Sequence, residues 1–134
     1  MEPVKIIVHF RDGRIIKGFS QDFFPNKSSF HLNKDITGKS PDLVEIQLSD
    51  LKAVFFVKDF EGDAEYKERK IFMEGDKLSG RKVEVIFEDG EMMQGSVLGY
   101  NPKQTGFFLF TVDPKGNNER VFVVNAVVKN FRFL

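Results

Sequence analysis

The sequence predicts an all-β protein of two tandem five-stranded barrels related by internal duplication, and three observations carry that prediction. One stretch occurs twice, as Val4-Lys5-Ile6-Ile7-Val8-His9-Phe10-Arg11-Asp12-Gly13-Arg14 and as Lys82-Val83-Glu84-Val85-Ile86-Phe87-Glu88-Asp89-Gly90-Glu91. Apolar residues alternate at a period of two in both copies and stop at Asp-Gly, a pair that accepts the positive φ of a tight hairpin turn. Adding 77 maps the first copy onto the second, with identities at Lys5/Lys82, Val8/Val85, Phe10/Phe87, Asp12/Asp89, Gly13/Gly90, Gly18/Gly95, Pro25/Pro102, Phe30/Phe107 and Leu32/Leu109. One register held over such a length reads as duplication. Turn signals then divide each copy into about five short strands, the count of a small, partly open antiparallel barrel.

Each element follows from its residues. After the first strand and its Asp-Gly turn, second strands are expected at 14–20 and 91–97, each with a glycine at the equivalent place, Gly18 and Gly95. A glycine inside a short strand marks a bulge or sharp bend. The turn-rich segments 21–29 and 98–106 share a proline and read as loops. Third strands fall at 30–33 and 107–112, fourth strands at 43–48 and 120–124, and fifth strands at 52–58 and 127–133, with connections rich in Lys, Asp, Gly, Pro and Asn. Ser49-Asp50 and Val124-Asn125 occupy the short joints before the fifth strands, where an Asp or Asn side chain can cap a turn. Domain boundaries follow at 1–60 and 81–134, with a charged connector at 61–80 that offers Tyr66, Ile71, Phe72, Met73 and Leu78 for burial. A helical turn around 64–70 and an apolar clip at 71–73 are expected there, against a plain solvated linker.

Composition removes several function classes. Lys+Arg and Asp+Glu balance at 20 each, so no net field draws the chain to polyanions. With no cysteine, disulfides, thiolate zinc sites, iron–sulfur clusters and cysteine nucleophiles are excluded. The 16 Phe, beside two Tyr and no Trp, are expected mostly in the core. Met1-Glu2-Pro3 runs directly into a strand pattern, and no apolar run approaches the ~18–20 residues that span a bilayer. The expectation is a cytoplasmic protein without a membrane segment.

Candidate sites are few. His9 and His31 lie on separate strands without a metal-ligand spacing, and are expected as outward or half-buried strand histidines rather than as ligands shared with Asp22 or Asp35. Ser28-Ser29 near His31 lacks an oriented base, and no Gly-rich phosphate loop or nucleophile elbow occurs. No enzyme activity, cofactor or metal is expected. The loops around Phe23-Phe24-Pro25-Asn26-Lys27 and Tyr100-Asn101-Pro102-Lys103-Gln104 set aromatics beside a basic residue, which suits stacking of a flat ligand with charge neutralisation. Phe23, Phe24, Lys27, Tyr100 and Lys103 are therefore the candidate ligand or partner surface, the alternative being aromatics folded back to close the barrel end. The fifth strand of the first copy, Ala53-Val54-Phe55-Phe56-Val57, is apolar on both faces, so Phe55 and Phe56 cannot both serve one core. One of them is expected to pack against the second copy or another chain.

The V-x-V-x-F-x-D-G pattern with its following strand glycine, together with the run from Leu48 to Gly62, resembles an uncharacterised bacterial domain family over essentially the whole chain. At lower specificity each repeat resembles an Sm-like or SH3-like barrel, which shares a strand, a D-G turn and a glycine in the next strand. Sm-type RNA sites use an Asp and an Asn before the third strand, where this chain has Ser29 and Gly106, and the Arg-Gly of the second Sm motif is missing. Arg11 and Arg14 likewise lack the spacing of a PilZ-like R-x-x-x-R signature. The resemblance implies small barrels and supplies no activity. The functional expectation is a non-enzymatic interaction or regulatory module, monomer or homodimer, that binds a protein partner; the alternative is nucleotide or single-stranded nucleic-acid binding through the aromatic and basic loops.

Overall fold

The computed structural model of the chain describes residues 2–62, 69–73 and 80–134. Ten strands occur there in chain order: β1 (Val4–Phe10), β2 (Ile15–Ser20), β3 (Ser29–Asn33), β4 (Leu43–Gln47), β5 (Leu51–Val57), β6 (Arg81–Phe87), β7 (Met92–Val97), β8 (Gly106–Thr111), β9 (Asn118–Val124) and β10 (Val128–Phe133). Single 3₁₀ turns at Leu48–Asp50 and Asn125–Val127 precede β5 and β10.

The two Asp-Gly turns form as the residue types require. Gly13 and Gly90 take φ of 94° and 92°, a region closed to most side chains. Asp12 accepts the Arg14 N–H at 3.0 Å and Asp89 accepts the Glu91 N–H at 2.9 Å, closing both turns with the same side-chain bond. Gly18 and Gly95 mark close approaches: a Cβ on either would collide with the carbonyl oxygen of Asn33 or Phe110 and press on Leu32 or Leu109. Each glycine sits where β2 or β7 passes against β3 or β8. The joints differ from expectation. Neither Asp50 nor Asn125 caps its 3₁₀ turn; the Asn125 amide instead donates to the Gln104 carbonyl at 2.8 Å and holds the preceding loop.

All pairings are antiparallel and join the strands into one open ten-stranded sheet, ordered β10-β6-β7-β8-β9-β5-β1-β2-β3-β4. The halves are therefore continuous with one another, because β5 pairs with β9: Ala53 faces Val123, Val54 faces Phe122, Phe55 faces Val121 and Phe56 faces Arg120. Within the halves the registers repeat at the offset of 77. Val4 opposite Ser20 is matched by Arg81 opposite Val97, Val8 opposite Val54 by Val85 opposite Phe131, and Phe30 opposite Ile46 by Phe107 opposite Val123.

One apolar cluster runs across both halves. It takes Ile6, Val8 and Phe10 from β1, Phe30 and Leu32 from β3, Val83, Val85 and Phe87 from β6, and Leu109 from β8. At the seam, β5 and β9 are buried on both faces: Ala53 and Val54 are sealed, as are Val121, Phe122 and Val123. A strand flanked on both edges and covered on both faces reads as a continuous apolar run, which is why alternation is lost there.

Of the connector, residues 63–68 and 74–79, including Tyr66, Leu78 and most of the expected helical turn, lie outside the described residues. Arg69 and Lys70 are not helical. The expected clip reduces to one residue: Phe72 is half-buried under the Lys82 ammonium, 5.0 Å from its ring centroid, while Ile71 and Met73 face solvent. The Phe72 backbone N–H also donates to the Gln94 side-chain carbonyl at 3.1 Å, so this residue is held by its ring and its main chain together.

Candidate functional site

The two expected loops come together without forming one ligand-facing set. Phe23 does not face solvent. Its ring packs edge-on against Phe30, Phe56 and Phe122, with centroids 5.0, 5.4 and 5.3 Å away, and belongs to the core cluster. Burying an aromatic there removes far more apolar surface from water than a loop position would, so the fold claims the ring that the sequence offered for stacking. Tyr100, at the equivalent position, lies flat on Phe131, with centroids 3.7 Å apart and planes 6° apart, and meets Phe107 edge-on. Phe24 is exposed, and the Lys27 ammonium lies 4.9 Å from its centroid. Lys103 lines a shallow groove with Pro25, Asn26 and Thr105, which is where the two loops meet. Phe24, Lys27 and Lys103 thus remain available to a ligand, and the face of Tyr100 is already covered by Phe131.

Phe55 and Phe56 point to opposite faces. Phe56 is buried and meets Phe108 of the second half at 5.9 Å, with the Arg120 guanidinium 4.5 Å above its ring. Phe55 lies on the other face against His9, 4.4 Å between ring centroids. Burial depresses the His9 pKa, partly offset by Glu91. A second tie crosses the seam at Lys52 on β5, whose ammonium donates to Asp89 at 2.7 Å and Glu91 at 3.2 Å and sits over the Phe87 ring. Burial opposes the Lys52 charge, yet these two carboxylates hold its pKa above the ordinary value.

A larger groove, about 580 Å³, opens beside β3 and β4 and is lined by Phe19, Gln21, Asp22, His31, Asn33 and Leu43 among others. Asp22 binds His31 twice, accepting the backbone N–H at 2.8 Å and holding Nδ1 at 2.7 Å. That hydrogen bond raises the pKa of His31. Partial burial works to raise Asp22, but the His31 bonds prevail and lower it. The nearby Ser20 hydroxyl bonds the Asp22 carboxylate at 3.3 Å. A nucleophilic serine needs its hydroxyl on the imidazole, so this triplet orients the ring without activating an oxygen.

Exposed edges are expected of small open barrels, and the pairing order identifies which strands they are. Among the described residues β4 and β10 have a neighbour on one side only. Leu43 at the start of β4 is 64% exposed, and Phe133 at the end of β10 is 44% exposed. The apolar residues closing the sequence were the available signal; Leu43, lying just after a loop, gave none.

A family model matches residues 2–134, and it describes a family of unknown function (DUF6982). The chain belongs to the DUF6982 family. No curated protein and no solved structure matches it. For this DUF6982 member the geometry of loops, grooves and edges is what bears on function.

Proposed function

We propose that the chain is a non-enzymatic interaction module that binds protein partners through its open sheet edges. The observation that carries this reading is the single ten-stranded sheet whose outer strands, β4 and β10, have one neighbour each among the described residues. An open edge presents a row of unpaired N–H and C=O groups, and an extended segment adding there gains main-chain hydrogen bonds while neighbouring side chains supply specificity. Under this reading, residues 1–60 and 81–134 are two Sm/SH3-like five-stranded units arisen by duplication and joined by the connector 61–80. The matching orders β5-β1-β2-β3-β4 and β10-β6-β7-β8-β9 support that division. The reading places the module in the cytoplasm and gives it no cofactor.

A second reading, nucleotide or single-stranded nucleic-acid binding, is favoured by the exposed Phe24 ring with Lys27 beside it and by Lys103 where the loops meet. The readings separate in one experiment. Strand addition protects amides of 43–47 or 128–133 from hydrogen exchange and is indifferent to a Phe24→Ala, Lys27→Ala double variant. Loop binding weakens steeply with salt and disappears in that variant. Absence of any thermal shift with nucleotides, cyclic dinucleotides and short RNAs removes the second reading. Edges that no strand protects, from a peptide or from another chain, remove the first.

A further inference from the structure

We propose that the strand completing the sheet comes from a second copy of this chain, β10 of one molecule pairing antiparallel with β4 of the next in the register used at the internal seam. This deepens the edge-binding reading and rests on it.

The seam is the template. It joins β5, the last strand of the first half, to β9, the fourth of the second, and leaves over the last strand of the second half and the fourth of the first. Each half repeats the other's pairings at an offset of 77, so the seam register can be carried outward by adding 77 on one strand and subtracting it on the other. Phe56 opposite Arg120 becomes Phe133 opposite Leu43, and Val54 opposite Phe122 becomes Phe131 opposite Glu45. The two most exposed apolar side chains of the edge strands thereby face one another.

Aromatic packing points the same way. At the seam, Phe23 and Phe56 are covered by Phe108 and Phe122 from the other half. Their counterparts Tyr100 and Phe133 form a cluster with Phe131 and Phe107 at the β10 edge. The Arg81 guanidinium lies 3.8 Å over Phe133, yet the ring stays 44% exposed and Leu134 beside it 53%. The facing edge carries His31 and Glu45 where the seam has Phe108 and Phe122. Those polar side chains keep β4 soluble when free and give the pairing a wetter rim than the seam.

Charge selects the head-to-tail arrangement. β10 carries Lys129 and Arg132, whereas β4 carries Glu45 and no base. Pairing β10 with β10 brings together two strands that carry only bases, whereas in the seam register Lys129 lies diagonally across from Glu45 on one face, Arg132 being held already by Glu84. The seam bond from Lys52 to Asp89 has its outward counterpart in Lys129 and Asp12, although Arg14 takes the place of Glu91. A heterologous pairing of this kind closes into a ring or runs on as a filament.

The chain has no cysteine, which makes the test clean. Two separately purified full-length variants, Leu43→Cys and Phe133→Cys, each checked for an unchanged unfolding transition, are mixed and oxidised. The expected result is a mixed disulfide in at least tenfold excess over either variant's self-product, since directly opposed strand residues lie close enough to bridge. The unmodified chain is weighed in parallel by native mass spectrometry and light scattering. Multiples of 15.4 kDa are expected, falling back to a single mass in Glu45→Lys, which makes both edges basic. A monomer at all concentrations with no mixed disulfide overturns self-pairing. If a peptide still protects the edges in that case, the edge-binding reading survives; if nothing protects them, both fall. Preferential self-product of either variant also overturns the proposal, since it shows like edges pairing.

Discussion

His9 and His31 occupy adjacent turns of the same logic with opposite results. His9 is half-buried against Phe55, and water withdrawn from the ring disfavours its charge. His31 is exposed and bonded to Asp22, which favours the charge. As the chain has two histidines, an NMR titration separates them: His9 should titrate below about 6.5 and His31 above it. Asp22→Asn should return His31 toward the ordinary value while leaving His9 unmoved. The sign for stability follows. The His31–Asp22 contribution is fully present below the unfolded His value and is lost as pH rises through the raised folded one. Equal midpoints for the two rings would contradict the assignment.

At the scale of elements, the strands were legible because each carries its own signal. Alternation in β1 and β6, Asp-Gly after them, and glycines where β2 and β7 meet the next strand are local features that survive any tertiary arrangement. The doubly apolar run of β5 announced a second surface at Phe55 or Phe56, but which ring faces which side is set by the pairing with β1, where Phe56 lies opposite the buried Ile6 and Phe55 opposite Ile7. That register is a property of the pairing, invisible in either strand alone. The fate of Phe23 was illegible for a related reason. Its ring is buried by Phe56, Phe108 and Phe122, side chains from β5, β8 and β9, and no local pattern reports such distant cover. The two faces of β5 predict unequal costs. Phe56→Ala should destabilise by about 3–5 kcal/mol, as truncation of a core aromatic does, and Phe55→Ala by about 1 kcal/mol, an ordinary value for a partly covered site. Urea unfolding midpoints check the order, and equal shifts would place the seam contact elsewhere.

For the whole molecule, the seam makes the halves interdependent. The first half alone would expose β5 along one edge and lose Phe108 and Phe122 from above Phe23. A unit of about 60 residues buries so little of its surface that it is marginal even with an intact core. Residues 1–60 expressed alone should therefore unfold at a clearly lower urea concentration than the full chain. A fragment as stable as the whole would show the seam to be an association of convenience. Within each half the hairpin pairings span short stretches of sequence, as when Ile6 meets Gly18, and even the widest kind, Val8 with Val54, spans less chain than the seam pair Val54 and Phe122. Closing a longer loop costs more entropy, so near pairs form before distant ones. Folding is thereby ordered: the halves organise first and latch late. Until they latch, β5 and β9 stand open to the matching strands of any neighbouring chain, which is the geometry from which a domain swap begins.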